Sequence, residues 1–140
     1  MKLISLILIT LFSIATLQDS KLNLICQKWR LFGLKECDKA NSLIRESRAS
    51  TLVINRDGTY ERNIPDMYRT KGEWHFNSDS SKLMFMILER QGKGMEPRSL
   101  EPKFDSIVKL TRDTLIYCSS NFNYKQKKLE YTNWYFVKEQ

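Results

Sequence analysis

The 140-residue sequence holds one histidine, three cysteines and five glycines, and each shortage removes a class of chemistry. With His75 alone, a multi-histidine zinc site cannot form, and Cys26, Cys37 and Cys118 lack metal-ligand spacing. No glycine-rich loop follows a strand and opens a helix. Gln91-Gly-Lys-Gly94 lacks that context, so no phosphate cradle is expected. Repeats, low-complexity tracts and interdomain linkers are missing too. No apolar run reaches the roughly 20 residues of a membrane-spanning helix. The longest covers 3–14 and is broken only by Ser5, Thr10 and Ser13. It follows Met1-Lys2, and Ser13 and Ala15 place small residues where a signal peptidase reads them. That pattern predicts a signal peptide over 1–15, hence an exported (periplasmic or secreted) protein that does not span the membrane.

The region 16–140 is then expected to fold as one domain and to act as a monomer. It keeps all but one of the charges, since only Lys2 is lost from a net +7. The basic residues are scattered among acidic ones. Lys125-Gln-Lys127-Lys128 is the exception and reads as a solvated loop, so no nucleic-acid partner is expected. Ile25 before Cys26 is too large for lipid attachment there.

What is abundant is apolar alternation of period two, the signature of strands. It predicts eight: 25–34, 51–55, 59–64, 70–76, 82–89, 104–111, 114–118 and 129–138. Asp57-Gly58 marks a tight hairpin, because glycine accepts positive φ without a Cβ clash. A short helix or a loop over 38–48 follows the first strand. Connections after even strands are short (56–58, 77–81, 112–113). Those after odd strands are long (35–50, 65–69, 90–103, 119–128). An antiparallel meander puts every long connection at one end. The expected fold is all-β: an eight-stranded antiparallel up-and-down barrel, with a two-sheet sandwich as the competing layout.

That layout also sorts the cysteines. Cys26 and Cys37 lie at opposite ends of an extended strand, about 35 Å apart. Cys37 and Cys118 both follow odd strands and share an end. They are the preferred disulfide pair, with three thiols as the alternative.

Several pieces together resemble the calycin superfamily, specifically the secreted bacterial lipocalin-like domain proteins. They are Lys28-Trp29-Arg30-Leu31, Asp57-Gly58-Thr59-Tyr60, Gly72-Glu73-Trp74, the Ile107–Leu115 hairpin and Tyr135-Phe136-Val137-Lys138. The resemblance implies an eight-stranded barrel with an interior cavity and a lid-like first loop over 35–50. Gly72-x-Trp74 falls on the fourth expected strand, whereas lipocalins carry Gly-x-Trp on the first, so no ligand is carried over.

No catalytic set, metal site or cofactor is expected. His75 shares a face with Lys71 and Glu73 and points to solvent, and nothing places it beside Cys37 or Cys118. Asp57 and Asp113 sit in turns, and Glu96 and Glu101 read as solvated loop charges. Trp29, Trp74, Phe76, Phe85, Tyr117 and Tyr135 are expected to project into one interior. They form either a filled core or a pocket for a small hydrophobic ligand reached from the long-loop end. The expectation is a non-enzymatic binding protein. The alternative is a protein-binding, inhibitor or envelope accessory module acting through loops 35–50, 90–103 and 119–128.

Overall fold

The computed structural model describes residues 19–37, 44–45, 49–92, 103–123 and 126–140. The strands are β1 (Lys28–Glu36), β2 (Ile44–Arg45), β3 (Thr51–Ile54), β4 (Thr59–Ile64), β5 (Tyr68–Phe76), β6 (Lys82–Gly92), β7 (Lys103–Leu110), β8 (Thr114–Asn123) and β9 (Lys128–Lys138). From β3 to β9 each strand pairs with the next, β1 pairs with β3, and β1 pairs with β9. Pairing is antiparallel throughout, so the sheet closes into an eight-stranded up-and-down barrel rather than a sandwich. The two-residue β2 extends one edge of β1. There β3 takes Lys28 to Arg30, and β2 takes Gly33 and Leu34. The remainder of the helix-or-loop region 38–48 lies outside the described residues.

Alternation explains the core. Side chains on a strand face opposite sides in turn, so Trp29 and Leu31, Leu52 and Ile54, Leu115 and Tyr117 enter the barrel together. The ring closes on itself at Leu31 and Phe136, which are paired across β1 and β9 and both buried. Register shifts at 31/33, 71/72 and 107/109 add local curl. The second of these coincides with Gly72. A Cβ there would overlap the Met86 carbonyl and come within 3.0 Å of the Tyr60 ring, so β5 and β6 approach too closely for any side chain.

The tight turns are built as the sequence indicates. Gly58 has φ 86°, and the Asp57 carboxylate accepts from the Thr59 amide at 2.9 Å and the Thr59 hydroxyl at 2.6 Å. Those bonds hold the Asp57 pKa below its ordinary value. Asp79 repeats the device in the next tight turn, accepting from the Ser81 amide at 2.9 Å.

The expected loops 35–50 and 90–103 are each shorter at their start, because Lys35 and Glu36 continue β1 and Arg90 to Gly92 continue β6, where they still find antiparallel partners. Two larger features also depart from the sequence expectation. The first strand starts at Lys28, not Ile25, because the described residues 19–25 are helical. This helix and the Cys26-Gln27 link lie across the tight-turn end. The Lys21 ammonium donates to the Ser80 carbonyl at 3.1 Å, and the Gln27 amide donates to the Arg112 carbonyl at 3.0 Å. Ile25 is fully buried, and Leu22 and Cys26 pack against the core. The helix thus plugs one barrel end. The second departure is at 119–128, expected as a long loop. Residues 119–123 continue β8 and Lys128 begins β9, pairing as Asn123 with Lys128. The polar run Ser119-Ser-Asn121 hides this strand from an apolar pattern.

Candidate functional site

The sequence-selected aromatic residues divide between two faces. Trp29 and Trp74 lie in the plugged half with their indole donors satisfied. Trp29 Nε1 donates to the Ile25 carbonyl at 2.9 Å, and Trp74 Nε1 to the Asn55 carbonyl at 2.8 Å. Phe76 meets Trp74 edge-on at 5.3 Å between centroids. These rings fill the closed end. Phe85 is the cross-strand partner of Trp74, and Tyr117 lies 6.0 Å from Phe85. Tyr135 does not join them. It pairs with Ile116, on the opposite face of β9 from Trp134 and Phe136. Trp134 and Phe136 take the interior positions instead, stacked on Tyr117 at 6.2 and 5.5 Å. Trp134 Nε1 donates to the buried Ser119 hydroxyl at 2.7 Å.

The residue that sequence reasoning missed is Arg62. It follows Tyr60 and precedes Ile64 on β4, both buried, so the period-two pattern already aims it inward. Its guanidinium lies over three interior rings: Phe85 at 5.3 Å, Trp134 at 5.5 Å and Tyr117 at 5.9 Å. One Nη donates to the Tyr117 hydroxyl at 2.6 Å. Arg62 Nε is buried and has no hydrogen-bond partner. Burial works against the charge. The Tyr117, Tyr68 and Tyr60 oxygens and the Asp105 carboxylate outweigh it, so the Arg62 pKa lies above its ordinary value. Burial also pushes the Tyr117 phenol up, against the pull of Arg62, so Tyr117 keeps its proton and accepts from the guanidinium.

A second arginine shares this face. Arg62 pairs with Thr70, and Thr70 pairs with Arg90. Cross-strand partners share a side of the sheet, and Thr70 is buried, so Arg62 and Arg90 flank it on the inner wall. The Arg90 guanidinium lies 5.1 Å from the Tyr68 ring centroid. Its Nε is likewise buried without a partner. A surface groove of about 380 Å³ runs along the β4–β5 turn beside Tyr68 and Ile64, at the end away from the plug.

The cysteines also separate. Cys37 and Cys118 sulfurs stand 3.6 Å apart as thiols on the barrel exterior. Cys26 lies at the plugged end beside Arg56 and Asp57, and burial raises its pKa. His75 is exposed. Among the described residues no group of three His, Cys, Asp or Glu is placed to hold a metal ion. Glu96, Glu101 and Lys125 lie outside the described residues, as does the expected signal peptide. No helix among the described residues is long and apolar enough to cross a membrane. No family model matches the chain, and no curated protein sequence matches it.

Proposed function

We propose that this chain is an exported, lipocalin-like binding module without catalytic activity. It holds one small ligand with an apolar or aromatic body in the half of the barrel away from the plug. The observation that carries the reading is the unequal interior. Trp29, Trp74 and Ile25 pack towards the plug with the indole donors satisfied, whereas the rings of Phe85, Tyr117 and Trp134 surround Arg62, whose buried Nε lacks an acceptor. Aromatic walls with a few convergent polar groups are the usual make-up of a small-molecule site. The helix over 19–25 covers the tight-turn end, so the ligand passes through the long-loop end.

The test is titration with N-phenyl-1-naphthylamine, a neutral probe that fluoresces in apolar surroundings. Saturable one-to-one binding with quenching of Trp134 supports the reading, and Trp134→Phe should remove most of the quenching. Absence of saturable binding overturns it.

A protein-binding role is favoured by a separate observation. Met67, Leu129 and Tyr131 are all close to half exposed beside the turns at the unplugged end. Isolated exposed apolar residues are ordinary, so this reading ranks second.

A further inference from the structure

The polar end of such a ligand follows from the two arginines. We infer that the barrel interior seats an anionic group, and that the ligand is an organic acid whose carboxylate, sulfonate or phosphate oxygens meet Arg62 and Arg90. The inference deepens the ligand-holding reading and rests on it.

Buried polar atoms nearly always have partners, and each exception calls for an explanation. Here there are two exceptions of one kind, on one wall, on β4 and β6 with β5 between them. Arg62 Nε and Arg90 Nε are both N–H donors on cationic groups, and both are buried without an acceptor. Adjacent strands lie about 4.8 Å apart, so residues two strands apart on one row stand about 10 Å from each other. Two long arginine side chains can converge on one headgroup across that span. Among the described residues, Asp105 on β7 is the carboxylate that acts on Arg62. Glu61, the acidic neighbour of Arg62 in sequence, points outward and is held by Arg69 at 2.7 Å. A buried N–H donor without an acceptor is costly, and the oxygens of an incoming anion supply the missing acceptors. The rings of Phe85 and Trp134 beside Arg62 would cover the ligand's apolar body.

A matched pair of probes tests this on the full chain. N-phenyl-1-naphthylamine and its 8-sulfonate share one aromatic body and differ by the anion. The expectation is that both bind, that the sulfonate binds about tenfold tighter or more, and that Arg62→Met erases the preference while retaining the neutral probe. Arg90→Met should reduce it. If Arg62→Met folds poorly, Arg62→Met with Tyr117→Phe leaves no orphaned hydroxyl and carries the same expectation. Equal affinity for the two probes, or a preference that survives in both Arg62 variants, overturns the anion site and leaves the barrel reading intact. Failure of both probes to bind overturns the barrel reading, and the anion site with it. Displacement of the sulfonate probe by dodecanoate, dodecyl phosphate and dodecanol then separates the acids. Either acid displacing better than the alcohol supports the site, and an equally effective alcohol overturns it.

Discussion

The Arg62–Tyr117 pair makes a signed prediction about stability. Tyr117→Phe in the unaltered protein removes the acceptor of a 2.6 Å bond from a charged donor. Such bonds contribute about 1.5–3 kcal/mol, so this substitution should destabilise by that amount. In an Arg62→Met background the same substitution removes a buried hydroxyl that has already lost its donor, and should stabilise by about 1–3 kcal/mol. Arg62→Met by itself sets two effects against each other. Three cation–ring contacts are lost, at about 0.5–2 kcal/mol each. The desolvation penalty of a buried charge, several kcal/mol, is relieved. The double variant should therefore unfold at or above the midpoint of the parent. Urea unfolding of the parent, both single variants and the double variant, followed by far-ultraviolet circular dichroism, measures all four values. If Tyr117→Phe costs the same in both backgrounds, the guanidinium does not rest on Tyr117 and the interior described above is wrong.

Gly72→Ala should destabilise by about 1–3 kcal/mol in a denaturant melt, because the added methyl meets the Met86 backbone rather than a movable side chain. Oxidised glutathione should convert the Cys37 and Cys118 thiols to a disulfide, being itself reduced to two thiols. Peptide mapping should find that bridge, and Cys26 outside it. The 81-residue separation sets a chain-entropy ceiling of about 4.5 kcal/mol on the gain, read from melts with and without reductant. Asp57 and Asp79 have lowered folded-state pKa values. The stability they add is complete above the ordinary carboxylate pKa, about 3.9, and is lost as pH falls through the lower folded values. The gap between parent and Asp57→Asn in urea melts should accordingly be present at pH 7 and narrow as pH falls below the ordinary carboxylate pKa.

The barrel was legible because its signals are local. Asp57-Gly58 can hardly be anything but a turn, and the alternation in Thr59–Ile64 fixes which side chains enter. The same alternation contains Arg62, but a charged side chain on a strand reads as solvent-facing, and only its ring partners reveal the inward position. At Trp134-Tyr135-Phe136 the pattern is silent, since three consecutive rings suit either phase. The choice between phases is made by the β1 and β8 partners, where Phe136 meets Leu31 and Leu115. Ser119 reads as loop on polarity, yet it is buried because Trp134 needs an acceptor there. The helix over 19–25 has no periodic stripe long enough to announce itself, and its stability comes from tertiary contacts with turns far along the chain.

Those distant contacts give the plug a peculiar place in time. It is made near the start of the chain, but the carbonyls it binds belong to Ser80 and Arg112, 59 and 85 residues away from Lys21 and Gln27. During synthesis the segment emerges before its partners and waits unseated until the β7–β8 turn exists to receive it. Closure of the barrel by β1 and β9 waits longer still. The stopper and the final seam are therefore late events, and the folding of this chain should be slow and highly non-local, with the plug docking only after the strands that follow it.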